Sequence, residues 1–128
     1  MILNGIRVLD FTQYLAGPTI TRLMVDMGAE IIKVERAPGG DPARLLPAIK
    51  DGRSGYFVQQ HLGKRSLCLD LNHGESDAVV RALVAECDVV VENFMPGVTT
   101  KLGCDYDAVR AVKADVVYCS ISGFTYGY

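Results

Sequence analysis

Hydrophobic positions along this chain fall into short, strand-length runs separated by helical stripes. Residues 6–11 read as a strand, after which Gly17 and Pro18 open a helix, since proline suits a first turn where its missing N–H costs nothing. Ile20, Leu23, Met24 and Met27 fall at i, i+3, i+4 and i+7, which makes one apolar stripe. Gly28 then supplies a left-handed cap, and residues 30–35 read as a second strand. This βαβ unit implies a parallel pair joined by a right-handed crossover. A second unit begins with a strand over residues 67–71. Asn72, with Glu75 three positions on, predicts a capping box for a helix whose buried face is Val79, Val80, Leu83, Val84 and Cys87. Val89, Val90 and Val91 form an unbroken apolar run, the pattern of a strand covered on both faces. A short helix over residues 105–113 and a last strand over 116–121 complete the pattern. The expected fold is α/β, a Rossmann-like parallel sheet of about five strands with helices on both faces.

Residues 36–66 interrupt this rhythm with turn-formers and only a short helix near residues 56–60, and long connections of this kind usually carry function or are disordered. The length of 128 residues fits one domain over 1–128, and the net charge of −2 provides no global field for nucleic acid or an anionic membrane. Any anion must therefore be held by local basic residues. The apolar runs are far shorter than the roughly 20 residues of a membrane helix. Four cysteines without CxxC spacing and two histidines predict no metal site. Three of these cysteines lie in or beside apolar segments, which suits a reduced, cytoplasmic setting. The first five residues lack the pattern of a signal peptide.

In open α/β sheets, ligands bind beyond the carboxyl ends of the strands. No GxGxxG follows the first strand and no GxxxxGK[ST] occurs, which disfavours a dinucleotide fingerprint and removes the P-loop class. The helix opening at Ala16-Gly17-Pro18 can receive an anion or carbonyl oxygen, or be an ordinary turn. Arg36, Arg44, Lys50, Arg53, Lys64 and Arg65 gather around the irregular stretch. They can bind phosphate, or be a solvated set paired with Glu35, Asp41 and Asp51; composition leaves the two readings even. Asp10 and Glu92 sit at strand ends as conceivable general bases, although such carboxylates are more often caps or loop anchors. No catalytic constellation is visible.

Ten segments in register carry a resemblance. They include Gly5-Ile6-Arg7-Val8-Leu9-Asp10-Phe11, Ala16-Gly17-Pro18, the run from Asp26 to Arg36, Gly63-Lys64-Arg65-Ser66-Leu67, Asp88-Val89-Val90-Val91-Glu92-Asn93-Phe94 and Ser120-Ile121-Ser122-Gly123-Phe124. The chain resembles the class III CoA-transferase family (CaiB/BaiF type) over nearly its whole length. The resemblance implies a large Rossmann-like domain with CoA lying along the strand ends, in an intertwined homodimer. It implies that Arg36 meets the CoA phosphates and that Tyr14 and Leu15 form the turn beside the thioester. It also implies that Leu69 and Asn72 line the adenine side, that Asn93 and Phe94 lie near the pantetheine arm, and that Lys101 and Leu102 stand beside the nucleotide.

Departures from the family pattern are His61-Leu62 for a common Asn-Arg pair, Lys101 for arginine, and Thr125-Tyr126-Gly127-Tyr128 for a glycine-rich turn. Family transferases move CoA from an acyl-CoA thioester to a carboxylic acid through an aspartyl intermediate. That aspartate is expected beyond Tyr128, which leaves no catalytic residue in this chain and makes it an amino-terminal CoA-binding portion, inactive alone. The partners implied are acyl-CoA and a carboxylic acid, with CoA as substrate and no permanent cofactor. The alternatives are the racemase branch of the same family and a non-catalytic nucleotide-binding module.

Overall fold

A computed structural model describes residues 1–123. The expectations for Phe124 and for residues 125–128 lie outside the described residues. In chain order the elements are β1 (Arg7–Asp10), α1 (Ala16–Asp26), β2 (Glu30–Arg36), a 3-10 turn (Pro42–Leu45), the short strands β3 (Ile49–Lys50) and β4 (Arg53–Ser54), and α2 (Gly55–His61). They continue with β5 (Arg65–Leu69), α3 (Ser76–Glu86), β6 (Val89–Glu92), α4 (Val98–Lys101), α5 (Tyr106–Val112) and β7 (Val117–Ser120). One sheet has the order β5-β2-β1-β6-β7, with every neighbouring pair parallel. The chain reverses its direction of winding between β1 and β6, and that is where an open α/β sheet forms its ligand crevice.

Adjacent strand residues point to opposite faces, so each central strand feeds two cores. Leu9 and Val90 join Val80 and Val84 of α3 and Val109 of α5 on one face. Val8 and Val91 join Ile31, with Met24 and Val25 of α1, on the other. Leu9, Val8 and Val90 are fully buried, which explains the absence of polar alternation in these strands.

The structure corrects several sequence expectations. Of the stripe Ile20, Leu23, Met24 and Met27, Met24 packs on the core while Ile20, Leu23 and Met27 face outward at 40%, 52% and 45% exposure, and Gly17, Pro18 and Thr21 are the buried positions of α1. The reason is polar. The Thr21 hydroxyl reaches down to donate to Asp10 Oδ2 at 2.6 Å, and a Cβ at position 17 would collide with Thr12. These two demands rotate the helix away from its hydrophobic optimum. Asn72 does not cap a helix. Its N–H donates to Asp70 Oδ1 at 3.0 Å, and α3 starts four residues later. The β5 strand begins two residues earlier than expected, and the hairpin β3–β4 and helix α4 were not foreseen. Asp51 and Gly52 turn that hairpin with φ of 51° and 72°, the paired positive φ that favours such dipeptides in two-residue hairpin loops. The expected helix over 105–113 is confirmed, with Asp105 accepting from the Ala108 N–H as its cap.

Two substitutions separate buried from outward apolar positions. Leu9→Ala should cost about 2–5 kcal/mol, whereas Leu23→Gln should stay within about 0.5 kcal/mol. Urea unfolding of the two variants checks this. Equal losses would mean that α1 is rotated as the hydrophobic pattern suggests.

Candidate functional site

The carboxyl-terminal rim of the sheet rests on buried charge. Asp10 ends β1 with no exposed surface. Its Oδ1 accepts from the Thr12 N–H at 2.9 Å and from the Thr12 hydroxyl, and Oδ2 accepts from Thr21 and from Lys64 Nζ at 3.1 Å. Lys64 also donates to Thr21 Oγ1 at 2.6 Å and to the Pro18 carbonyl at 3.1 Å. Burial raises the Asp10 carboxyl, but Lys33, Lys64 and the two hydroxyls outweigh it and hold it below the usual range. Such a saturated carboxylate cannot serve as a base. Glu92 is likewise an anchor, accepting from the Phe94 N–H at 2.8 Å. Both carboxylates therefore take the role of anchor that the sequence left open.

A second buried pair lies beside the first. Lys33 Nζ stands 3.0 Å from Asp41 Oδ2, and both side chains are almost wholly buried. Nearby, Glu35 takes a bidentate pair of bonds from Arg44, each of 2.7 Å, plus the Ser66 hydroxyl at 2.6 Å and the Asp41 N–H at 2.8 Å. Burial works against the Glu35 charge, yet these donors prevail and hold its carboxyl down at about 2. Arg65 pairs with Glu30. Three of the six basic residues around the irregular stretch are thus engaged internally. Arg36, Lys50 and Arg53 make no ion pair among the described residues, and of these three Arg36 stands at the end of β2 on the sheet's rim.

Arg36 lines a cavity of about 300 Å³ together with Leu69, Asn72, Phe94 and Leu102, and also Gln13. These residues come from the ends of β2 and β5 and from the segments after β1, β5, β6 and α4, which meet only because the sheet is doubly wound. Asn93 lies on the far side of Phe94, where a second cavity of about 540 Å³ opens between Ala16, Met95 and residues 121–123. Helix α1 begins at that cavity with no side-chain cap on its first N–H groups. Tyr14 and Leu15 are half exposed on the turn before α1. Lys101 closes α4 and is exposed, next to Leu102. Gln13 lies in the strand-end run 10–18 and was given no role of its own from sequence. Its N–H donates to Asn93 Oδ1 at 2.8 Å and its carbonyl accepts from Asn93 Nδ2 at 2.9 Å, a clasp across the crevice that nothing in local periodicity could have revealed.

The profile of CoA-transferase family III matches residues 3–127. This chain belongs to that family. It is 48% identical over 127 residues to the succinyl-CoA:mesaconate CoA-transferase of Haloarcula hispanica, a match covering 95% of this chain and 32% of that one. It is 41% identical over 123 residues to the formyl-CoA:oxalate CoA-transferase of Afipia carboxidovorans, covering 95% and 29%. The chain thus spans about a third of the length of these curated relatives. A solved CAIB/BAIF family protein from Brucella suis superposes with a TM-score of 0.91 at 39% identity, over 98% of this chain and 34% of that one.

His61, one of the positions read from sequence as a departure from the family pattern, has unusual surroundings. The ring stacks against Phe57 at 4.2 Å between centroids. It is buried with neither nitrogen hydrogen-bonded among the described residues, and Nε2 is 3.7 Å from Asp41 Oδ2. Burial and the positive charges of Lys33 and Lys64 push it from 6.5 down to about 4. The folded protein therefore keeps it neutral, while the unfolded chain takes up a proton below about 6.5. For this group, stability is lost as pH falls from 6.5 to about 4 and is level below that. Glu35 contributes a separate loss between its ordinary 4.5 and about 2. His61→Asn should flatten the upper limb and leave the lower one, as read by urea unfolding across both windows. An unchanged slope above pH 4.5 would show that another group is responsible.

Proposed function

We propose that this chain is the CoA-binding portion of an enzyme that transfers CoA between an acyl-CoA thioester and a carboxylic acid. The most direct support is the meeting of Arg36, Leu69, Asn72, Phe94 and Leu102, drawn from separate segments, around one rim cavity. Arg36 brings a guanidinium that makes no ion pair among the described residues, and the planar fork of arginine suits phosphate. The apolar walls suit a base and its ribose, and a cavity of this size falls within the range of small-ligand sites. Past Phe94, the second cavity offers a path for the pantetheine arm towards the uncapped start of α1, where free N–H groups favour a carbonyl oxygen or anion.

The proposed reaction is covalent catalysis. An aspartate carboxylate attacks the thioester carbonyl, forming an acyl anhydride and releasing CoA thiolate. The thiolate then attacks the aspartyl carbonyl, giving an aspartyl-CoA thioester and the first carboxylate. The acceptor carboxylate repeats the exchange in reverse. The family resemblance assigns that aspartate outside residues 1–128, and in keeping with this Asp10 at the rim is saturated by internal donors. The same family reading extends to a cytoplasmic, interlinked homodimer. Consistent with an assembly, the Ile20, Leu23 and Met27 face of α1 is left apolar and open.

Arg36→Ala should weaken CoA binding by about 1.5–3 kcal/mol, the worth of a hydrogen bond to a charged group. Titration calorimetry measures it, and unchanged affinity would remove Arg36 from the site. In the full-length protein, label should pass from acyl-CoA to free carboxylate. Solvent deuterium entering the α-carbon of the acyl group without such exchange would favour racemization instead.

A further inference from the structure

The turn between β1 and α1 is held by more side chains than a connection of its length needs. Five successive backbone groups are engaged by side chains from four parts of the fold. The Thr12 N–H donates to Asp10, and the Thr12 carbonyl accepts from Lys33 Nζ. Both the N–H and the carbonyl of Gln13 bond to Asn93. The Tyr14 N–H donates to Asp41 Oδ1 at 3.4 Å. Asp41 Oδ1 also accepts from the Ala43 N–H at 2.8 Å, which ties the following 3-10 turn to the same point.

This arrangement works against stability in three respects. Tyr14 has φ of 65°, a left-handed conformation that costs a residue with a side chain. Tyr14 and Leu15 are left 51% and 52% exposed. Lys33 and Asp41 are buried as an ion pair, and such pairs are often no better for stability than apolar residues of the same volume. What these costs obtain is a fixed backbone course and a fixed direction for two exposed side chains at the crevice.

We infer that Lys33 and Asp41 are positioning residues that lock the Tyr14 turn so that Tyr14 and Leu15 present a preset surface to the thioester end of CoA. This rests on the functional reading above, in which the thioester lies beside that turn. Neither residue touches the substrate. They act through the Thr12 carbonyl and the Tyr14 N–H, and a displacement of the turn by an ångström is enough to disturb a reacting geometry.

The test compares Asp41→Ala, Asp41→Asn and Tyr14→Gly in the full-length enzyme. Hydrogen–deuterium exchange of the peptide spanning residues 12–16 reads the turn, and CoA-exchange kinetics read the chemistry. Asp41→Ala should speed exchange there and lower kcat about tenfold or more, while KM for the acyl-CoA stays within about threefold. Asp41→Asn keeps an acceptor for the Tyr14 and Ala43 N–H groups and should recover most of kcat. Tyr14→Gly should hold or raise the melting temperature while lowering kcat. Faster exchange with kcat unaltered would reduce the network to a structural role and overturn the inference, as would unaltered exchange. If Asp41→Ala does not fold, Tyr14→Gly decides, and an unchanged kcat rejects the proposal. A wild-type enzyme with neither CoA affinity nor CoA exchange would instead overturn the functional reading, while the exchange measurement still reports whether Asp41 fixes the turn.

Discussion

Everything at the rim of this sheet depends on two buried ion pairs, Asp10 with Lys64 and Lys33 with Asp41. Four charges removed from water carry a large desolvation penalty, which mutual attraction offsets only when the remaining lone pairs and protons are also satisfied. Here the donors Thr12, Thr21 and the Ala43 N–H, and the acceptors Thr12 and Pro18, supply most of that satisfaction, while Asp41 Oδ2 faces Lys33 and accepts no hydrogen bond among the described residues. Each pair joins segments far apart in sequence. Lys64 brings the start of β5 to the end of β1, and Asp41 ties the loop after β2 to the turn before α1. Apolar packing specifies the sheet, but these pairs specify where its loops go.

That division explains why the basic residues of the irregular stretch do not behave as one group. Arg44, Lys64 and Arg65 are used to hold the chain together, so their charges are neutralised close by. Arg36 shares none of these partners and points its function elsewhere. The choice between a phosphate-binding set and a solvated set is thus split: three members of the cluster are structural, and only the others stay available for the proposed ligand.

The sequence revealed most where the fold is apolar and least where it is polar. Val89, Val90 and Val91 could be read as a central strand because burial on both faces leaves a continuous run. The βαβ order and the strand count followed from the same signal. Helix α1 was legible in extent but not in orientation, because Thr21 and Gly17 face inward for reasons that carry no period. Asn72 looked like a cap, yet Asp70 claims it. Among the site residues, Arg36, Leu69, Asn72, Phe94 and Leu102 were named by family likeness, and the fold brings them round one cavity. Gln13, Lys33 and Asp41 could not be found that way, because their roles are partnerships between segments, and a linear sequence does not display them.

A chain with 13 basic and 15 acidic residues has no excess positive charge with which to attract a polyanion. The rim resolves this by location. Three of its carboxylates, Asp10, Glu35 and Asp41, are buried and each is matched by an adjacent cation, so little of their field reaches solvent, while Glu92 is buried against the Phe94 N–H. The acidic excess is carried elsewhere, by side chains such as Glu75, Glu86 and Asp115 that stand open to water on helices and turns. At physiological salt, charges separated by more than about 8 Å are largely screened. Under the proposed function, a phosphate at the crevice would respond to Arg36 and its immediate surroundings and not to the net charge of the molecule, so a weakly acidic domain would be no obstacle to an acidic ligand.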